Sequence, residues 1–263
     1  MYIKRKVNIV DLNINLNLPE PVNKSLNPIA TAAGETFSNI WSACFSTINL
    51  WAKKRIIKHE QDFLEFKQSV ETHYTNIPDE YKSEPNLSII GPALEASKFY
   101  IQEKSIREMF AKLITADMDT RKKNNLHHSF VEIIKQLSPH DALLLSKLPK
   151  VGPIGEIRLY NKDESTYSLR TKEDLIIIPD IPELINIDTS IAINNLNRLG
   201  LAQINHIMSL VNKSCYAPYE DLPEFKDGLL LVKTHPELFT KVEVNKGMYS
   251  ITPFGDAFKS ICI

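Results

Sequence analysis

The sequence predicts a mainly α protein with a small β component: an N-terminal helical region, then a winged-helix-like C-terminal module with insertions. Three observations carry that expectation. Apolar residues recur at helical spacing through most of the first half of the chain. Ser138-Pro139-His140-Asp141 reads as a helix start, with Ser as cap, Pro at the first position and Asp141 in the first turn. A second capped helix, SIAINNLNRLG, stops at Gly200; later, two short strands flank Asn245-Lys246-Gly247, and a short helix starts near Pro253.

Residues 1–26 form an extended arm. Val7, Ile9, Leu12, Ile14, Leu16 and Leu18 alternate imperfectly with Asn and Asp until Pro19 and Pro21 end the pattern. Residues 27–84 form an amphipathic helical region opened by Asn27-Pro28. Phe37, Ile40, Trp41, Cys44, Phe45, Ile48 and Trp51 make one apolar stripe. Ser38, Asn39, Ser42, Ser46, Thr47 and Asn49 lie opposite. The segment FSNIWSACFSTINLW carries no charge, and the basic residues Lys53, Lys54, Arg55 and Lys58 follow it. Three readings fit this stretch: a core helix, a face between copies, or a helix lying in a lipid headgroup layer. A second stripe, through Ile56, Ile57, Phe63, Leu64, Phe66 and Val70, ends before Ile77-Pro78.

Residues 85–126 read as a helical linker region containing IIGPALEASKFY and KSIREMFAKLITADMD. In the latter, Ile106, Met109, Phe110, Leu113 and Ile114 make a core face. Asp117 continues that face near the helix end and is expected to reach solvent. RKKNN is a solvated loop. Residues 127–263 hold the winged-helix-like module, with helices in SFVEIIKQL and DALLLSKL and a β insertion at about 150–187. There IGEIRLY and DLIIIP read as strands. Asp188 or Thr189 caps the next helix. Phe254, Phe258 and Ile261 recur at i, i+4 and i+7, which places them against the helix near 138–148.

The chain has 263 residues, enough for one large domain or two ordinary ones. At 43% hydrophobic and 24% charged it has the composition of a folded protein. A net charge of −1 argues against coating nucleic acid by electrostatics alone. Cys44, Cys215 and Cys262 are far apart and offer neither a disulfide framework nor a paired-cysteine metal site. The N-terminal segment lacks an apolar signal core, and no run of about 18 apolar residues stands out as a membrane span. These features predict a cytoplasmic protein, with peripheral contact at the inner membrane face as the variant that a lipid-facing helix would add.

The search for chemistry assigns no catalytic, metal-binding or cofactor-binding residue. Gly152 and Gly155 do not match a nucleotide-binding fingerprint. His127 and His128 point about 100° apart on a helix and read as a polar helix start. No strand-turn-helix nucleophile elbow is present. DNA is the fairer contest. The helix before Gly200 offers Asn194, Asn195, Asn197 and Arg198 as candidate base-reading residues. One Arg is a thin electrostatic footing, and the expected wing adds only Lys241 and Lys246.

Five blocks also carry a resemblance: IIGPALEASKFY (89–100), SIREMFAKLITADMD (105–119), HSFVEIIKQLSPHDALLL (128–145), NNLNRLGL (194–201) and GMYSITPFGDAFKSICI (247–263). In order and spacing they resemble the abortive infection alpha family of bacterial and prophage proteins. The resemblance implies defence against bacteriophage, in which the infected cell stops growing or dies. It implies no catalytic residue, cofactor or trigger. The expected function is therefore a non-enzymatic phage-defence protein that works through a protein partner, self-assembly or membrane contact, with a phage-derived trigger. The alternatives are a prophage-type DNA-binding regulator and an enzyme whose site is assembled only in the fold.

Overall fold

A computed structural model describes residue 39 and residues 60–163, 167–169, 173–177 and 189–263. Asn39 is helical and exposed. The extended arm, the stripe from Phe37 to Trp51 and the basic residues Lys53, Lys54, Arg55 and Lys58 lie outside the described residues.

The described chain is mainly helical with a small antiparallel sheet, as its sequence predicts. Helix α1 (Glu60–Thr75) buries Phe66, Val70 and Tyr74, three residues at successive i, i+4 positions. Helix α2 (Leu87–Ser97) starts at Asn86, whose side chain accepts the Ser88 N–H at 3.1 Å, and it continues through Pro92. Helix α3 (Lys104–Asp117) is central: ten of its 14 residues are buried, and it touches α1, α2 and the later helices α4 (Phe130–Gln136), α5 (Pro139–Lys147) and α8 (Pro253–Cys262).

Arg107 of α3 is buried and holds α1 in place. Its Nη1 donates to Asp62 Oδ1 at 2.9 Å and to the Ile101 carbonyl at 2.8 Å, and its Nη2 donates to Glu65 Oε2 at 2.5 Å. A buried guanidinium needs such partners, because an unpaired charge there costs several kcal/mol. Asp117 is also buried, contrary to the expectation that it reaches solvent. Its Oδ2 accepts the Asn86 N–H at 2.5 Å and so ties the end of α3 to the start of α2. Burial pushes its carboxyl above the usual range, against that hydrogen bond. Two residues on, buried Asp119 is gripped by Arg121 through Nε and Nη2, which holds its carboxyl below the usual range.

The sheet runs β2 (Tyr167–Leu169), β1 (Val151–Asn161), β4 (Phe239–Ile251), β3 (Ala202–Asn205), with every neighbouring pair antiparallel. Its two faces separate cleanly. Ile154 and, across the ladder, Tyr249 and Ile251 belong to the helical core. Ile157, Leu159 and Val242 face the other way and pack with Phe225, Leu231 and Val232 of α7 (Pro223–Thr234). Alternation along a strand produces that division.

Three details differ from the sequence reading. The expected hairpin at Asn245-Lys246-Gly247 is instead continuous strand, paired with Glu156, Gly155 and Ile154 of β1. Gly247 serves close packing rather than a turn: a Cβ there would lie 2.7 Å from Ile154 Cγ2 and 2.8 Å from the Asn205 carbonyl oxygen. The segment DLIIIP contributes one bridge, Leu175 to Gly155, rather than a described strand. Phe258 and Ile261 are buried as expected, but α8 packs chiefly on α3 and on Phe130 of α4, and meets the end of α5 through Lys259, whose Nζ donates to the Leu148 carbonyl at 2.8 Å. The Phe130 ring meets Phe258 edge-on at 5.1 Å and Phe254 at 5.4 Å, and Phe254 is only partly buried.

Phe258→Ala should therefore lower stability by about 3–5 kcal/mol and Phe254→Ala by clearly less, as read from urea denaturation. Asp119 supplies a second test. Because its folded carboxyl sits below the usual range, its stabilisation is present above the ordinary aspartate pKa and fades as pH falls through the folded value. The deficit of Asp119→Asn relative to wild type should be full at pH 7 and shrink progressively below about pH 4.

Candidate interaction surface

Helix α6 (Thr189–Arg198) buries Thr189, Ala192, Ile193 and Leu196 against α5 and β3. Thr189 bridges to Ile176, donating to its carbonyl and accepting its N–H, each at 3.2 Å. The helix ends in a complete Schellman motif. Leu201 N–H bonds the Leu196 carbonyl at 2.9 Å, Gly200 N–H bonds the Asn197 carbonyl at 3.0 Å, and Gly200 takes φ +74°. These features explain why the sequence marks both the helix and its stop so clearly.

All four polar residues nominated on this helix hydrogen-bond to other parts of the protein, although Asn194, Asn197 and Arg198 remain exposed. Asn194 Nδ2 donates to Asp174 Oδ2 at 2.8 Å. Asn195 Nδ2 donates to Asp141 Oδ2 at 2.8 Å and to the Gln136 carbonyl at 3.0 Å. Arg198 forks onto Asn195 Oδ1 through Nη2 at 2.7 Å and reaches Gln136 Oε1 through Nη1 at 2.9 Å. Asn197 Oδ1 accepts the Ile204 N–H at 3.3 Å. The two lysines expected on a wing are also placed against the body. Lys241 Nζ lies 3.2 Å from Glu243 and 4.7 Å from the Tyr160 ring centroid, and Lys246 Nζ lies 5.8 Å from the Tyr216 ring centroid.

The structure instead presents a surface in the segment between β3 and β4, which the sequence reading did not single out. Ile207 and Val211 are 95% and 96% exposed, with Met208 also exposed between them. The loop that carries them is built, not slack. Asn205 Oδ1 accepts the N–H groups of Ile207 at 2.9 Å and Met208 at 2.7 Å. The buried Tyr216 hydroxyl accepts the Leu210 N–H at 3.0 Å and donates to the Gly247 carbonyl at 2.5 Å. Burial pushes that phenol's pKa upward, so it remains a donor across the physiological range. At the loop's start, His206 Nε2 lies 3.4 Å from Asp174 Oδ1. Asp174 is buried at φ +58°, and this oxygen has no hydrogen-bond partner among the described residues. On α7, Leu229 and Leu230 are exposed as well. A sequence signal existed in I-M-S-L-V, an apolar run without strand pairing, but such a run reads equally well as core.

Among the described residues no cluster of His, Cys, Asp or Glu could hold a metal ion, and no helix is long and apolar enough to cross a membrane. His127 stacks edge-on to Phe254 at 5.5 Å and takes the Ser129 N–H on Nδ1, so it is a helix-start residue in contact with the core.

The fold and this surface define a mainly helical protein with a twice-covered antiparallel sheet and an ordered apolar loop held out to solvent. The chain belongs to the abortive infection alpha family, whose model matches residues 58–262. That membership gives it a role in abortive infection, a form of phage defence. Comparisons with curated proteins and with solved structures returned no match.

The loop geometry is testable without a partner. Tyr216→Phe leaves the Leu210 N–H and the Gly247 carbonyl without their shared hydroxyl. It should cost about 1–3 kcal/mol, with faster amide exchange at Leu210 and unchanged exchange in α3.

Proposed function

We propose that the protein carries out abortive infection by contact rather than by catalysis, with the ordered loop from His206 to Asn212 binding a protein partner. The observation that carries this reading is the outward display of Ile207, Met208 and Val211 on a loop fixed by Asn205 and Tyr216. Apolar side chains held exposed on a rigid frame lose little entropy when covered, which is how interface anchors gain affinity. The N-terminal stripe of Phe37, Ile40, Trp41, Phe45, Ile48 and Trp51 would then assemble copies or meet lipid, with Lys53, Lys54, Arg55 and Lys58 beside it. Residues 1–57 lie outside the family match. The DNA-regulator alternative would have to draw Asn194, Asn195 and Arg198 away from Asp174, Asp141 and Gln136 before they could reach a base.

The test is a phage challenge of cells carrying the full chain, scored for plaque formation and host survival. Ile207→Asp with Val211→Asp should leave the purified protein folded, since both side chains face solvent, yet abolish protection. Unchanged protection would sink the contact reading. Trp41→Asp with Phe45→Asp sorts the N-terminal segment. A core helix predicts loss of folding, an interface between copies predicts a smaller folded species, and a lipid-facing helix predicts the same size with lost liposome binding. Sequence-selective duplex binding at physiological salt would favour the DNA-regulator alternative.

A further inference from the structure

A second feature stands apart from the loop: a half-open cleft of about 330 Å³ between α1, the segment after α3, and α8. Its polar lining gathers Lys112, Arg121 and Lys122 beside the Asp119 carboxylate and the main-chain end at Ile263, with His73 at the edge. The carboxylate is already neutralised, since Arg121 grips it through Nε and Nη2. Arg121 Nη1 makes no hydrogen bond among the described residues, and neither does the Lys122 ammonium. Lys112 donates to a main-chain oxygen of Ile263, the last residue of the chain, and its ammonium retains two further N–H donors. His73 is oriented from behind: its Nε2 sits 2.5 Å from Glu108 Oε1, and Ser69 Oγ donates to Glu108 Oε2 at 2.5 Å. Burial alone would raise the Glu108 carboxyl, but the Ser69 and His73 hydrogen bonds and the Lys112 charge hold it below the usual range. It therefore stays ionised and fixes the ring with Nδ1 available. Because Glu108, not Ser69, faces the imidazole nitrogen, this set lacks the serine–imidazole contact that nucleophilic catalysis needs.

Ile77, Ile261 and Ile263 also line the cleft, the first two as edges of the buried core. A cleft whose lining combines clustered donors with apolar side chains suits a ligand that is anionic at one end and compact at the other. Its volume falls at the lower end of the range for small-molecule sites, about 300–1,000 Å³. We propose that this cleft binds a phosphorylated small molecule of mononucleotide size. The phosphate is held by Lys122, Arg121 Nη1 and Lys112, and the body lies on the isoleucines. Cations in a fork and a point charge are the usual complement of a phosphate monoester. The site goes beyond the contact reading above and does not depend on it, because its binding is measured on the purified chain.

The experiment is titration of the full-length protein with inorganic phosphate, AMP and adenosine, followed by calorimetry and by thermal shift. AMP should bind more tightly than phosphate, adenosine should not bind, and the affinity should fall as salt rises. Lys122→Glu should weaken AMP by about tenfold or more, and its unliganded melting temperature is measured alongside, because the new charge lies beside Asp119. Ile261→Ala reports the apolar lining through AMP but not phosphate; as a buried residue it is compared only after its fold is verified by circular dichroism. Absence of both phosphate and AMP binding at 10 mM, roughly the weakest affinity worth calling a site, overturns the proposal. So does equal binding of adenosine, or AMP affinity unchanged in Lys122→Glu.

Discussion

One buried carboxylate, Asp141, joins the two halves of the described chain. Its Oδ2 accepts the Ser138 N–H at 2.7 Å, and its own N–H bonds Ser138 Oγ, closing the capping box that starts α5. The same oxygen accepts Asn195 from α6, a helix that arrives only after β1 and β2. Through Asn195 the contact extends to Arg198 and Gln136, so the end of α4, the start of α5 and the outer face of α6 share one network. Such networks hold elements in a unique register because leaving one member unpaired costs more than the bond contributes. The residues that look most like a recognition surface are, on these contacts, the fasteners of a helical core.

That double use marks where the sequence could be read and where it could not. Local rules gave the boundaries well. The Ser138 capping box, Asn86 as cap, the stop at Gly200 and the start at Pro253 depend on neighbouring residues only, and the structure has each of them. The helical stripe of α3 likewise follows from spacing. What failed is long-range. Asn245-Lys246-Gly247 has turn chemistry, but its neighbours across the ladder, Ile154 to Glu156, lie far upstream and impose strand. Asp117 and Arg107 look like surface residues until the partners that bury them are known. Phe258 was identifiable as core from its period, but not the ring it meets. The exposed loop and the cationic cleft were missed for the same reason: each gathers residues whose proximity is a product of the fold.

The blocks that carry the family resemblance fall on these fixed points. IIGPALEASKFY supplies α2, SIREMFAKLITADMD supplies α3, and NNLNRLGL contains Asn195, Arg198 and the Schellman glycine. Their jobs in the structure are packing, capping and closure. A family recognised by such residues is recognised by its scaffold. The features that could set one member's partner apart, Ile207 to Val211 and the stripe before residue 52, lie outside those blocks.

The ladder between β1 and β4 has a consequence for how the chain is made. Val151 pairs with Ser250, about 100 positions later, and the segment between them includes α6, β3 and α7. Contacts of that span carry a large loop-closure cost and belong to slow folding. On the ribosome, α1 to α5 can pair among themselves early, because their contacts are local. β1 can pair with β2 at once along one edge, but its other edge must wait until β4 emerges. During that interval it presents an unpaired apolar edge of the kind that joins other chains or recruits chaperones. The cell's exposure to this protein thus begins before the fold is complete, and a slowed or prematurely ended synthesis would leave the helices formed and the strand uncovered.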